Sequence, residues 1–187
     1  MANFNKAHKF TAKWEGGYSC DPDDPGGATN YGVSLRWLKS LGLDQGDIDH
    51  DGDIDADDIR ALSAEQAAAL FREKFWDAYH LDDFPQDLAT IYYDAIVNTG
   101  AAQATKFMQR GYNSTFPSAA LSVDGILGPL TRNALLSMGK NVFLLRACID
   151  ERDRFYHSLA TSKPAMNKFL KGWLNRTHDL RIFVGVA

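Results

Sequence analysis

Residues 14–32 read WEGGYSCDPDDPGGATNYG, and the architecture turns on how this stretch folds. Upstream of it, Phe4, Ala7, Phe10, Thr11 and Trp14 recur near helical spacing, so residues 3–15 read as an amphipathic helix. Gly16 and Gly17 stop that helix, because glycine takes the left-handed backbone of a helix end at little cost. Residues 16–33 are then crowded with Gly, Pro, Asp and Asn, the chemistry of a loop or short hairpin.

Downstream the pattern is helical. Ser34 caps a short helix holding Leu35, Leu38 and Leu41, and residues 44–58 form an acidic loop. Ser63 and Gln66 make a capping box before a helix that runs to about Tyr79. Residues 86–112 hold two helical stretches parted near Asn98-Thr99-Gly100. Residues 116–128 make a connection containing Pro and Gly. Further helices are expected at 129–138, at 141–159 and around 164–176. The expected fold class is mainly α (α+β), with one small β-hairpin between the first helix and the acidic loop. Residues 1–187 read as a single unit, with one lobe at 1–85 that carries the loop at 47–58 and a helical lobe at 86–187.

The chain has 187 residues, room for one full core or for one lobe with a smaller partner lobe. Apolar residues make up 45% and charged ones 24%, ordinary for a globular protein. The net charge of −4 is concentrated between Asp44 and Asp58, and nothing in it points to nucleic acid. Cys20 and Cys148 are far apart and lack metal-ligand spacing; two free thiols is the favoured reading, with a single disulfide left open. The first residues, MANFNKAHKF, lack the apolar core of a signal peptide, and no run is long enough to span a membrane. The expectation is a chain made in the cytoplasm, monomeric, with no membrane insertion.

Glu15 ends the first helix beside Trp14, Tyr18 and two glycines. A carboxyl held against aromatic rings loses solvation of its charged form, which favours the protonated acid. Cleaving a glycosidic bond needs such a proton donor at the leaving oxygen. Asp24 follows nine residues on, and an ionised carboxylate opposite the acid can direct water or stabilise an oxocarbenium ion. The Thr29 hydroxyl can hold that water, and Gly26-Gly27 permits a turn that brings the hairpin back over Glu15. Asp23 and Asp21 are near enough to compete for the role of Asp24. The plain alternative pairs Glu15 with a surface lysine and leaves the aspartates as turn residues; the concentration of these groups in one short segment favours chemistry.

The strings Glu15-Gly-Gly-Tyr18, Asp24-Pro-Gly-Gly27 and Thr29-Asn-Tyr-Gly32 resemble the signature of glycoside hydrolase family 108, the muramidases of many phage endolysins. Their order on a helix end and hairpin is also similar to phage-type and goose-type lysozymes. The resemblance implies a lysozyme-like helical fold with a small β-hairpin at the active site. It implies Glu15 as general acid with Asp24 and Thr29 assisting, and bacterial peptidoglycan as the partner. The bond cut would be the β-1,4 link between N-acetylmuramic acid and N-acetylglucosamine. An enzyme of this kind without a signal peptide would reach the wall through a holin. Tyr93–Gly100, Ala104–Gln109 and Asp124–Thr131 are similar to the peptidoglycan-binding region that follows in the same family, and Phe169–Arg176 resembles its closing helix. On this reading 1–85 is the catalytic lobe and 86–187 the peptidoglycan-binding lobe.

Tyr18, Tyr31, Asn98 and Gln109 are the expected substrate-binding side chains. Asn98 serves equally well as a helix-end cap. Tyr92 and Trp173 stand at helical spacing and read better as core than as sugar platforms.

The acidic loop has a register of its own. Counted from Asp47, acidic residues fall at positions 1, 3, 5, 7, 9 and 12 of an EF-hand loop: Asp47, Asp49, Asp51, Asp53, Asp55 and Asp58. Gly52 fills position 6, Ile54 the apolar position 8, and position 7 serves through its backbone carbonyl. Alternate residues of a tight loop converge on one point, which suits the hard-oxygen preference of Ca²⁺. Position 12 is Asp and not Glu, as in dockerin-type loops. One structural or regulatory calcium ion is expected here, against a solvated acidic loop that binds nothing. Three rivals to a muramidase can be framed: a non-catalytic peptidoglycan-binding module that keeps the fold, a calcium-controlled binding protein, and a chitin-cutting enzyme. The intact set Glu15, Asp24 and Thr29 speaks against the first. Residues 15–32 are unexplained by the second, and the second half of the chain disfavours the third.

Overall fold

Helix α1 (Phe4–Glu15) ends where the glycines require: Gly16 has φ 77°. The structure, a computed structural model, describes residues 1–19 and 27–187. Asp21, Asp23, Asp24, Cys20 and Gly26 therefore lie outside the described residues. The chain divides into two compact units, residues 11–74 and residues 1–10 with 75–187.

In the first unit, β1 (Thr29–Asn30) and β2 (Val33–Ser34) form an antiparallel hairpin, with Thr29 opposite Ser34 and Asn30 opposite Val33. Its two turn residues, Tyr31 and Gly32, have φ of 49° and 81°. Positive φ at both is the twist-matched geometry of a two-residue hairpin. A two-residue turn thus lies at Tyr31-Gly32; the turn expected at Gly26-Gly27 falls partly outside the described residues. Ser34 caps α2 (Leu35–Ser40) by accepting the Trp37 amide at 3.3 Å.

The acidic stretch is less irregular than the sequence suggested. It is bounded by α3 (Leu43–Gly46) and α4 (Ala56–Ala61). The aspartates read as ligands also build a reciprocal capping box, Asp55 with Asp58, which starts α4 inside the loop. The Ser63–Gln66 box opens α5 (Ala64–Phe71), which passes into a π-helical turn at Arg72–Trp76 and 3₁₀ turns to Asp83. Val33, Leu38, Ile59, Leu62, Ala67 and Phe71 form the core of this unit, each almost free of solvent.

The other unit is built on α6 (Gln86–Thr99), buried from Leu88 to Ile96. A helix apolar on all sides belongs inside a bundle. Around it stand α7 (Ala101–Thr115), α8 (Pro129–Met138), α9 (Val142–Ser162) and α10 (Asn167–Phe183). α7 and α9 approach closely at Gly111, where an added Cβ would lie 2.7 Å from the Cys148 nitrogen. α10 outruns its expected end at 176. Leu180 is buried, and Arg181 reaches Asp150 and Asp153 of α9 at 2.6 and 2.9 Å, so tertiary contacts carry the last turns. Cys148 is a free thiol, fully buried, and burial pushes its titration well up. No helix among the described residues is long and apolar enough to cross a membrane.

At the centre of this bundle Asp94 is completely buried and accepts Arg152 Nη1 at 2.6 Å and Arg176 Nη2 at 2.6 Å. The arginine passes the network outward: Arg152 Nε donates to Tyr156 Oη at 2.6 Å, and Tyr156 donates to Asn98 Oδ1. Burial pushes the Asp94 carboxyl up, but the two guanidinium groups outweigh it and hold it at about 2.

Candidate active site

Glu15 is half-buried at the end of α1, and its stem lies on the hairpin turn. A Cβ built on Gly32 would stand 2.8 Å from Glu15 Cβ, 3.1 Å from its Cγ and 3.1 Å from the Phe71 ring. Only glycine fits there, in space and in φ. Trp37 packs on Phe71, with ring centroids 5.3 Å apart and a T-shaped geometry. The stem of Glu15 and the Phe71 ring thus both close in on the bare backbone of Gly32.

The strand that leaves Glu15 returns to the hairpin at once. Ser19 and Thr29 exchange both backbone bonds at 2.8 Å, so Ser19 extends the hairpin beyond Thr29. Thr29 is half-buried, and its hydroxyl donates a long bond to the Gly27 carbonyl at 3.4 Å. Tyr18 and Tyr31, on either flank of this small sheet in sequence, keep 46% and 42% of their surface exposed. Rings left this open on rigid backbone are available to a ligand. The structure therefore gathers Glu15, Tyr18, Thr29 and Tyr31 on one short segment; Asp24 lies outside the described residues.

The acidic loop lies in the same unit. Carboxylate oxygens of Asp47, Asp49 and Asp58 come within 4.8 Å of one another, as do those of Asp53, Asp55 and Asp58. Asp58 joins both groups. Its oxygens accept the amides of Ile48 and Asp55, each at 2.6 Å. Burial pushes the Asp58 carboxyl up, but these backbone amides outweigh it and hold it low. Asp49 is pushed up by desolvation and by the charges of Asp51, Asp58 and Asp47; Asp53 is pushed up chiefly by Asp51. Asp47 accepts the amides of Asp51 and Gly52 at 3.1 Å each, and Asp51 accepts that of Asp53 at 3.1 Å. A cluster of hard oxygens on a tight, self-bonded loop fits a divalent calcium ion.

The remaining two candidates belong to the other unit and to other tasks. Gln109 is fully buried. Its amide donates to Asp124 Oδ1 at 2.8 Å, Thr131 Oγ1 at 3.2 Å and the Ile126 carbonyl at 3.3 Å, and its Oε1 accepts the Gly125 amide at 2.9 Å. Every polar group it owns is spent on the loop before α8 and on the first turn of α8, so sugar binding gives way to a loop-holding role. Asn98 is half-buried and takes the Tyr156 hydroxyl, which makes it the outer end of the Asp94 network. Tyr92 and Tyr93 are core: both are free of solvent, and Tyr92 bonds Thr105 at 2.6 Å. Trp173 stacks on Tyr156 at 5.0 Å and 21°. Sequence reasoning missed Asn30, whose amide bridges the hairpin to α4; an asparagine directly before Tyr31-Gly32 was the available signal.

Comparison with known proteins places this geometry. Residues 8–100 match the model of glycosyl hydrolase 108, and residues 103–178 match that of a predicted peptidoglycan domain. The solved structure of Brucella abortus SagA is similar, with TM-score 0.73 and 26% identity over 97% of this chain and 92% of that one. No curated protein matches the chain. Glu15, Tyr18, Thr29 and Tyr31 all fall within the first matched segment, and Gln109 with the loop it holds falls within the second. The chain belongs to the glycosyl hydrolase 108 family: it is a lysozyme-like, peptidoglycan-degrading glycoside hydrolase, mainly α-helical, with a peptidoglycan domain.

Proposed function

We propose that this enzyme is an N-acetylmuramidase, cutting the β-1,4 bond from N-acetylmuramic acid to N-acetylglucosamine. One observation carries the reading. In the segment that matches the hydrolase family, Glu15 is packed onto a hairpin turn that has room for no side chain at residue 32. Such close packing holds the stem of a carboxyl group against the backbone of the hairpin, as a proton donor of fixed position needs.

Glu15 donates its proton to the glycosidic oxygen as the C1–O bond breaks. The glucosamine-side alcohol leaves, and positive charge spreads over C1 and the ring oxygen. Asp24, ionised, stabilises that charge or accepts a proton from the attacking water, and the Thr29 hydroxyl orients the water. Hydroxide adds to C1, and the proton balance is restored between the two carboxyl groups. Tyr18 and Tyr31 offer ring faces to neighbouring sugars. We include in the proposal one calcium ion on the loop at 47–58, held by Asp47, Asp49, Asp51, Asp55 and Asp58 with the Asp53 main chain. Bound there, the ion supplies charge neutralisation and order, not chemistry.

Mass spectrometry of digested, borohydride-reduced peptidoglycan tests the bond assignment. Reduced muramic acid at the new ends is the expected result. Reduced glucosamine ends would reassign the bond.

A further inference from the structure

We propose that Asn30 and Arg60 are positioning residues for hydrolysis: through them the short helix α4 fixes the strand pair that carries Tyr18 and Thr29. The inference rests on the assignment of the active segment given above.

Helix α4 is clamped at its start by carboxylates of the acidic loop, through the Asp55–Asp58 capping box. Its far end shows carbonyls that no further helical turn can satisfy. Asn30 supplies the missing donor. Its side-chain amide gives 3.0 Å to the Ile59 carbonyl and 3.5 Å to that of Leu62. Asn30 is only 8% exposed, so this amide is held in a site where an unmade bond is costly. The same helix reaches the opposite strand. Arg60 Nε donates to Tyr18 Oη at 3.1 Å, and Asp57, one turn earlier, pairs with the same guanidinium group.

The two attachment points stand opposite each other on the paired chains. Ser19 and Thr29 are the bridging pair, and Tyr18 and Asn30 are their immediate neighbours. One short helix is therefore bonded to both chains at the same end of the bridge. A shift of α4 moves the backbone at Thr29 and the ring of Tyr18 together. Catalytic rate depends steeply on placement of a water-holding hydroxyl, while ring contacts act mainly on binding. The two residues should thus separate in kinetics: Asn30 acts on kcat and Arg60 on KM.

The experiment measures kcat and KM on a soluble peptidoglycan oligosaccharide for the whole enzyme. Asn30→Asp keeps the shape and removes the donor; kcat should fall at least tenfold with KM within threefold. Leu135→Ala, a core truncation in the other unit, serves as the stability control. It should lower Tm as much while leaving kcat within twofold at a temperature where both variants are folded. Arg60→Ala should raise KM at least threefold, and combining it with Tyr18→Phe should add nothing further. If Asn30→Asp does not fold, the Arg60 and Tyr18 cycle decides alone. Wild-type kcat in Asn30→Asp, equal loss in Leu135→Ala, or additive effects of Arg60→Ala and Tyr18→Phe would overturn the proposal. Glu15→Gln in the same assay reads the underlying assignment separately: activity retained there removes the acid, whatever the Asn30 result.

Discussion

Gly32 and Glu15 touch so closely that residue 32 can carry no side chain: an added Cβ would lie 2.8 Å from Glu15 Cβ. The φ of 81° at Gly32 imposes the same restriction independently. Gly32→Ala should therefore act on rate more than on fold. Backbone strain at such a site costs about 1 kcal/mol or more, visible as a lower Tm. Displacement of Glu15 should lower kcat at least tenfold, about 1.4 kcal/mol in activation free energy. Wild-type kcat in a folded Gly32→Ala enzyme would show that the contact does not set the acid.

The buried trio of Asp94, Arg152 and Arg176 makes stability depend on acid pH. Asp94 is held at about 2 in the folded protein, below the usual carboxylate value of 3.8. A depressed folded value gives stability that is complete above the unfolded value and lost as pH falls through the folded one. The trio should contribute roughly 2 kcal/mol at neutral pH that disappears between about pH 4 and pH 2. Denaturant unfolding across that range, compared with Asp94→Asn, measures it. The variant should be less stable at pH 7 and should lose less on acidification, because it has no carboxylate there to protonate. Removing one partner of such a buried set typically costs about 3–5 kcal/mol.

Calcium should stabilise the enzyme. Carboxylates that crowd within 4.8 Å repel until a cation joins them. A ligand at a hundredfold excess over Kd adds about 2.7 kcal/mol to folding, so Tm should rise by several degrees from EDTA to millimolar calcium. Asp58→Ala should abolish the rise, since Asp58 belongs to both oxygen clusters. A Tm unchanged between EDTA and calcium would remove the ion from the account.

Local signals were the legible part of this chain. Gly16 ends α1, Ser34 caps α2, and Ser63 with Gln66 opens α5, because each of these devices is complete within four residues. What stayed hidden depends on partners distant in sequence or on one residue type doing two jobs. Aspartates spaced for a metal also cap a helix, so α4 was read as loop. The turn at Tyr31-Gly32 went unread because its first residue is a tyrosine in a left-handed conformation, not a glycine. Gln109 resembles a sugar ligand in sequence, yet its partners lie 15 to 22 residues on and claim its whole amide. The family was legible in the Glu15–Gly32 segment because its glycines, acid and aromatics are near neighbours in sequence.

Turnover of purified peptidoglycan by Glu15→Gln tests the central claim most directly. The amide keeps the side chain's shape against Gly32 but has no acidic proton to give. The account predicts a folded protein, unchanged in circular dichroism, whose rate falls by about 10²–10⁴-fold, the usual contribution of a general acid. A folded Glu15→Gln enzyme that releases glycan fragments near the wild-type rate would contradict it.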